Sequence, residues 1–125
     1  MSRGHRGLGH HAAVVVVVVL ALALVLAARL VLAQAPGPIE EQVLVDNDTV
    51  RVTLLVFPPG SASGEHVGLD PELGIVLEGE LTLLTPAGRE VLGPGQVRWL
   101  QAFVPHDARN EGSLPLRLWV VLVKR

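Results

Sequence analysis

The sequence predicts an all-β sandwich or barrel preceded by an apolar helical leader. Residues 12–28, AAVVVVVVLALALVLAA, form an unbroken apolar run. After residue 41 the chain consists of short segments rich in Val and Leu, separated by clusters of Gly, Pro, Asn and Asp. None of these segments has the 3.6-residue apolar period of an amphipathic helix. Many short strands with regularly spaced turn residues are typical of a sandwich or barrel.

The leader has the three parts of an export signal, which are a basic start, an apolar middle and small residues at the end. Residues 1–11 contain two arginines and no acidic side chain. Cleavage after Ala33 would make residues 1–33 a signal peptide. In the alternative, Arg29 reaches the membrane interface and residues 12–33 remain as an uncleaved anchor. In both cases the positive start predicts an extracytoplasmic domain, secreted or attached to the membrane.

The remainder divides into a linker, residues 34–41, and one small domain, residues 42–125. Beyond residue 33 there are seven Lys or Arg and twelve Asp or Glu, a net charge of −5. Such a charge argues against nucleic acid as a partner. The chain has no cysteine, which excludes disulfides, a lipid-attachment cysteine and thiolate metal sites.

Alternating apolar residues and turn residues predict the strands of the domain. Residues 61–72 contain Gly, Ser and Asp and are predicted to be a loop or an irregular strand. The last strand is apolar on both faces, which is typical of the middle of a sheet. The predicted strands are 42–45, 50–57, 73–77, 80–85, 89–92, 97–100, a segment around His106, and 116–123.

Two histidines and one glutamate are the candidate metal ligands of the domain. His66 lies six residues after Gly60, Glu72 lies six after His66, and Gly79 lies seven after Glu72. His66 and His106 are the only histidines beyond residue 33. Two imidazoles and a carboxylate suit Fe(II), Mn(II), Zn(II) or Ni(II), with positions left open for water or substrate.

The residues around His66 resemble the first motif of the cupin family. That motif is Gly, five residues, His-x-His, three or four residues, Glu, six residues, Gly. The sequence Gly60-SASGE-His66-V-Gly68-LDP-Glu72-LGIVLE-Gly79 matches it except at Gly68, where the family has its second histidine.

The residues around His106 resemble the second cupin motif, which is Gly, five residues, Pro-x-Gly, two residues, His, three residues, Asn. The sequence Gly95-QVRWL-Gln101-A-Phe103-VP-His106-DAR-Asn110 keeps the first glycine, the histidine and the asparagine. Gln101 and Phe103 replace the proline and the second glycine.

The resemblance covers about residues 50–123 and implies a single jelly-roll β-barrel of the cupin type. It also implies a central metal held by three histidines and one glutamate. Carried over to this chain, His66, Glu72 and His106 are three of these ligands, and the fourth is absent at Gly68. Asp70 is a candidate substitute, whereas Glu65 would point to the opposite face of its strand.

Three functions follow as expectations. One is an exported metal-dependent enzyme acting on a small molecule, with Asp70 or Glu65 as candidate acid/base groups or groups supporting the metal ligands, and with its catalytic residues otherwise unknown. The second is a non-catalytic ligand-binding or sensing domain of the cell envelope, without metal, in which Glu72 would need a hydrogen-bond partner such as His66. The third is an interaction domain that forms homodimers through exposed strand edges.

Structural roles explain other notable residues. Gly79 and Gly95 are expected in tight turns, and Asn110 is expected to bond to backbone groups. The aromatic residues Trp99, Phe103 and Trp119 are assigned to core packing, with the barrel mouth as the alternative. The cations Arg98, Arg109 and Arg117 are assigned to solvated strand faces, with a carboxylate-bearing ligand as the alternative. His5, His10 and His11 are discounted as metal ligands because they lie in the leader.

Overall fold

The computed structural model describes residues 8–32 and 35–125. The expected cleavage point after Ala33 and the basic residues before position 7 lie outside the described residues. The chain divides into two compact units, Met1–Ala35 and Pro36–Arg125.

The N-terminal unit contains one helix, α1, over Leu8–Leu32. Its stretch Gly9–Arg29, 21 residues long, is long and apolar enough to cross a membrane, and none of it is buried within the protein. At 1.5 Å per residue it extends roughly 30 Å, the thickness of a bilayer core. The predicted apolar helix is therefore present, and its length and composition fit a signal sequence as well as an anchor.

The unit Pro36–Arg125 is an all-β domain made of two antiparallel sheets. One sheet has five strands in the order β1-β2-β9-β4-β7, and the other has four in the order β3-β8-β5-β6. The strands are β1 Glu40–Asp46, β2 Val50–Phe57, β3 His66–Val67, β4 Glu72–Glu78, β5 Leu81–Thr85, β6 Gly88–Leu92, β7 Val97–Leu100, β8 Pro105–Arg109 and β9 Leu116–Val123.

Strand β9 is the centre of the five-stranded sheet, as its two apolar faces predicted. Because side chains alternate along a strand, Leu116 and Leu118 are buried while Trp119 is 40% exposed on the outer face. The buried core consists of apolar side chains from both sheets, namely Phe57, Val76, Leu81, Leu83, Leu92, Leu100, Leu116 and Leu118.

Core packing was the wrong assignment for the three aromatic residues. Trp99 is 41% exposed and Phe103 is 65% exposed. Trp99 alternates with the buried Leu100 on β7, so its side chain points away from the core. Phe103 lies in the loop before β8 at φ 66°, a conformation that the glycine of the cupin motif would adopt more easily.

Asn110 joins the loop between β8 and β9 to the end of β2. Its side-chain Nδ2 donates hydrogen bonds to the carbonyl oxygens of Phe57 and Leu114, at 2.9 and 2.8 Å. Its Oδ1 accepts a hydrogen bond from the backbone N–H of Gly112 at 3.1 Å. The side chain is fully buried, which confirms the expected bonding to backbone groups.

Candidate metal and ligand site

His66 and His106 are cross-strand neighbours. Strand β3 pairs with β8 so that the two histidines face each other in register. Their ring centroids are 4.2 Å apart and the ring planes are tilted by 57°. Directly opposed residues of an antiparallel pair project to the same face. The pairing therefore brings together two imidazoles that are far apart in the sequence.

Both imidazole rings are oriented by backbone carbonyls. The Nδ1 atom of His66 lies 2.9 Å from the carbonyl oxygen of Gly64, and Nδ1 of His106 lies 2.9 Å from that of Val104. A ring that donates its Nδ1–H in this way, when neutral, carries its lone pair on Nε2. Metal-binding histidines are commonly oriented by such a bond. In both rings, Nε2 is therefore the atom available to a metal.

Glu72 approaches His106 from the other sheet. It is the first residue of β4, and its Oε1 lies 3.0 Å from Nε2 of His106. The side chain of His106 is 5% exposed and that of Glu72 is 18% exposed. The hydrogen bond to Glu72 raises the pKa of His106 above its ordinary value and outweighs the opposing effect of burial; the carbonyl of Val104 adds to the rise.

All three predicted ligands line one cavity between the sheets. Its volume is about 140 Å³. The three side chains form its polar region together with Ser63 and Arg98. The rest of the lining is Gly74 and apolar side chains, namely Leu55, Phe57, Leu81, Leu83, Leu100, Ala108, Leu118 and Val120.

The two imidazoles and the carboxylate are ligand types that bind divalent transition metals. The distance between the donor atoms of one pair also fits binding to a single ion. Two ligands about 2.1 Å from the same ion, at a right angle, are about 3.0 Å apart. The separation of Glu72 Oε1 and His106 Nε2 is 3.0 Å. Among residues 8–32 and 35–125, however, no three His, Asp or Glu groups are placed to hold one ion. His66 is therefore beside the pair but is not a third ligand in this conformation.

No nearby acid replaces the ligand that is missing at Gly68. Neither Asp70 nor Glu65 lines the cavity. Glu65 instead borders a separate surface groove beside Thr85 and Pro105, consistent with the predicted opposite orientation. A Cβ atom at Gly68 would meet only the carbonyl oxygen of Asp70, at 3.4 Å. The position is vacant rather than occupied by a neighbouring side chain.

Arg98 lines the cavity, although the sequence assigned it to a solvated strand face and kept contact with a carboxylate-bearing ligand as the alternative. Strand β7 turns Arg98 and Leu100 to the cavity and Trp99 away from it. The other two arginines considered with it lie elsewhere. Arg109 pairs with Asp107 at 2.8 Å, and Arg117 is exposed on β9. The alternation of β7 was the signal available in the sequence, since Arg98 and Leu100 share a face.

Residues 53–123 match the family model of the cupin domain. The chain belongs to the cupin family. The matched region includes all of both motifs and therefore the residues His66, Glu72 and His106. Apart from this family match, no curated protein matches the cupin chain at a significant level.

Solved structures confirm the cupin jelly roll. A cupin superfamily protein from Desulfitobacterium hafniense is similar at a TM-score of 0.67 and 18% identity, over 74% of this chain and 83% of that one. A cupin domain from Bordetella pertussis gives 0.63 and 25%, over 74% and 100%. The Cupin_2 domain of an XRE family transcriptional regulator from Enterobacter cloacae gives 0.65 and 20%, over 71% and 99%.

Proposed function

We propose that this cupin is an extracytoplasmic protein that binds a divalent transition metal (Fe, Mn, Zn or Ni) and a small molecule in its cavity. His66, Glu72 and His106 would hold the ion. The observation that carries the proposal is the convergence of these three side chains on one cavity. Both imidazoles have Nδ1 bonded to a backbone carbonyl, which leaves Nε2 for the ion.

The cavity suits chemistry on a small molecule. A bound ion would act as a Lewis acid toward an oxygen of the ligand. The apolar walls, such as Leu81 and Leu118, would bind the hydrocarbon part of the ligand and exclude water. Because at most three protein groups would bind the ion, coordination positions would remain open for the ligand. Metal-dependent catalysis on such a ligand is the enzymatic form of the proposal.

Elemental analysis of the full chain, purified and then reconstituted with each metal, tests this function. We expect about one ion per chain, and we expect His106→Ala and Glu72→Ala to lose it. Glu65→Ala is the matched control, because Glu65 lies near His66 in the sequence but does not line the cavity. A wild-type chain without stoichiometric metal, or a His106→Ala variant that keeps it, would contradict the proposal.

A metal-free ligand-binding or sensing domain is the second candidate. Two observations favour it: Glu72 already has a partner in His106, and Gly68 offers no fourth ligand. In this case, protein treated with a chelator should bind its small molecule as tightly as untreated protein. Metal-dependent turnover of any small hydroxylated or aromatic compound would exclude it.

Export is proposed from α1 and the basic residues before it. Cell fractionation should find the domain outside the cytoplasm. N-terminal sequencing then separates the two forms, because a mature chain beginning at Gln34 is a secreted protein and an intact chain is anchored. Recovery of the intact chain from the soluble cytoplasm would contradict export.

A homodimer is proposed through the outer face of the five-stranded sheet rather than through strand edges. The outward side chains of four of its five strands, β2, β9, β4 and β7, are mostly apolar. Strand register places Leu54, Trp119, Ile75 and Val97 in one row and Val52, Val121, Leu73 and Trp99 in the next. A second copy would bury both rows in a symmetric contact.

A further inference from the structure

Arg98 is the permanent cation among the side chains that line the cavity in the described part of the chain. It lies opposite Gly74 in the pairing of β7 with β4. Gly74 has no side chain, and a Cβ there would meet Leu118 Cδ1 at 3.7 Å and the carbonyl of Arg98 at 3.9 Å. Gly74 therefore adds no side chain to the inner face beside Arg98, and both residues line the cavity.

The guanidinium group of Arg98 is incompletely bonded within the protein. Its Nε lies 2.8 Å from Oε2 of Glu90, but the N–H is not directed at that oxygen, and Nε is buried without a hydrogen-bond acceptor. Nη1 has only a 3.5 Å contact with the carbonyl of Trp99. Arginine has five N–H donors, which match the two oxygens of a carboxylate. Most of these donors remain for a ligand.

With a divalent ion bound, the charges around the cavity would favour an anion. Arg98 contributes one positive charge, and Glu72 and Glu90 contribute one negative charge each. A divalent ion at the proposed site would leave a net charge of +1 with neutral histidines. One carboxylate would balance this charge, whereas a second would leave an excess negative charge in a cavity with mostly apolar walls.

The size of the cavity limits the ligand to a small molecule. An engineered apolar cavity of about 150 Å³ holds benzene. The cavity here measures about 140 Å³ and is also lined mainly by apolar side chains. A single ring or a short branched chain would fill it, with one polar group directed to Arg98.

We infer that the ligand is a small apolar monocarboxylate. Its carboxylate binds Arg98, and its hydrocarbon part packs against side chains such as Leu81 and Leu118. The inference rests on the proposed ligand site and names its substrate class. Arg98 is then the residue that selects anionic over neutral ligands of the same shape.

Benzoate and benzamide test this inference, because they have nearly the same shape and differ in charge. Each is titrated into the full chain in non-ionic detergent, loaded with Zn(II), and binding is followed by NMR. We expect Arg98→Gln to weaken benzoate binding tenfold or more and to change benzamide binding less than twofold. Arg117→Gln, which removes the same charge on the outer face, should leave both unchanged.

Zinc content and thermal melting are measured in the same samples. A zinc-loaded wild type that does not bind benzoate, or an Arg98→Gln variant that binds it normally, would overturn the inference while the metal proposal stands. If the loaded chain takes up no zinc but binds benzoate in an Arg98-dependent way, the binding would support the inference and the missing zinc would contradict the metal site. If Arg98→Gln does not fold, Arg98→Lys takes its place; it keeps the charge but loses the two-point contact, so unchanged benzoate binding would again overturn the inference.

Discussion

Nε2 of His106 and Oε1 of Glu72 are 3.0 Å apart although β8 and β4 belong to different sheets. The contact links the two sheets at the cavity. The same two atoms are the donor pair proposed for the metal. A proton on His106 and a metal ion therefore compete for one position, and each would stabilise the domain by binding between the same groups.

Without metal, the stability of the protein should fall as the pH rises from 6.5 through the raised pKa of His106 in the folded state. The hydrogen bond to Glu72 raises the pKa of His106 above the value of 6.5 for an unperturbed histidine, against the opposing effect of burial. The stabilisation is complete below 6.5, where His106 is protonated in both states, and it is lost as the pH passes the higher pKa of the folded state. Urea unfolding in EDTA, followed by tryptophan fluorescence across pH 5.5–9, measures this loss.

Glu72→Gln is the control for the pH dependence, because it removes the charge that raises the pKa of His106 while keeping the size of the side chain. The difference in the free energy of unfolding between wild type and Glu72→Gln should shrink as the pH rises. A difference that is constant with pH would show that the pair does not titrate in this way.

The sequence predicted the strands well, because alternation and turn residues are local signals. The predicted strands 50–57, 97–100 and 116–123 agree with β2, β7 and β9. The convergence of His66, Glu72 and His106 was also predicted, from the spacing of the cupin motifs. Pairing between β3 and β8 brings the histidines together, and this long-range contact has no local signature.

Gly68→His should strengthen metal binding by tenfold or more. Gly68 follows His66 by two residues, directly after the end of β3, and is the position at which the cupin motif has its second histidine. The backbone of Gly68 is not in the left-handed region, and a Cβ would contact only the carbonyl of Asp70 at 3.4 Å. The affinity for Zn(II) or Co(II) is measured by competition with a chromophoric chelator.

Gly68→Ala is the matched control for the new ligand. It adds the same Cβ without an imidazole, so its metal affinity should equal that of the wild type. A Gly68→His variant that gains no more affinity than Gly68→Ala would place position 68 outside the reach of the ion.

Asn110→Ala should lower the free energy of unfolding by about 3 kcal/mol, because it leaves buried backbone groups without partners. The carbonyl oxygens of Phe57 and Leu114 would lose their donor, and the N–H of Gly112 would lose its acceptor. Asn110→Asp keeps the acceptor and the shape but loses both donated bonds, so it should also destabilise the domain. A loss below about 1 kcal/mol for both variants in urea unfolding would contradict this role.

Side-chain exposure was the part of the fold that the sequence predicted least well. Trp99 and Trp119 were assigned to the core because of their size, but strand alternation places both on the outer face. Arg98 was assigned to solvent because of its charge, but the same alternation on β7 places it at the cavity. In each case the position of the residue on its strand, and not its residue type, determines which side of the sheet its side chain faces.

Trp119→Glu should convert the proposed homodimer into a monomer. The side chain is at the centre of the outer apolar face, between Leu54 of β2 and Ile75 of β4. A carboxylate there would be buried without a partner in a symmetric contact. Light scattering with size exclusion, corrected for detergent, gives the oligomeric state.

Leu114→Glu is the control variant, because it changes another exposed apolar position, and it should remain a dimer. A wild-type monomer at all concentrations would remove the proposal.

Gly79→Ala should destabilise the protein more than any other glycine-to-alanine change in the turns. Gly79 has a φ of +77°, and a Cβ there would lie 2.4 Å from the carbonyl oxygen of Pro115 and 2.9 Å from Cα of Leu116. Both contacts are with backbone, which cannot move aside as a side chain can. We expect a loss of about 3 kcal/mol or more in urea unfolding.

Gly95→Ala isolates the part of the loss that comes from the backbone conformation, because its φ is +80° and nothing lies within 4 Å of the new Cβ. That variant should lose only about 1 kcal/mol, and equal losses for the two would mean that the close approach of Pro115 does not constrain position 79.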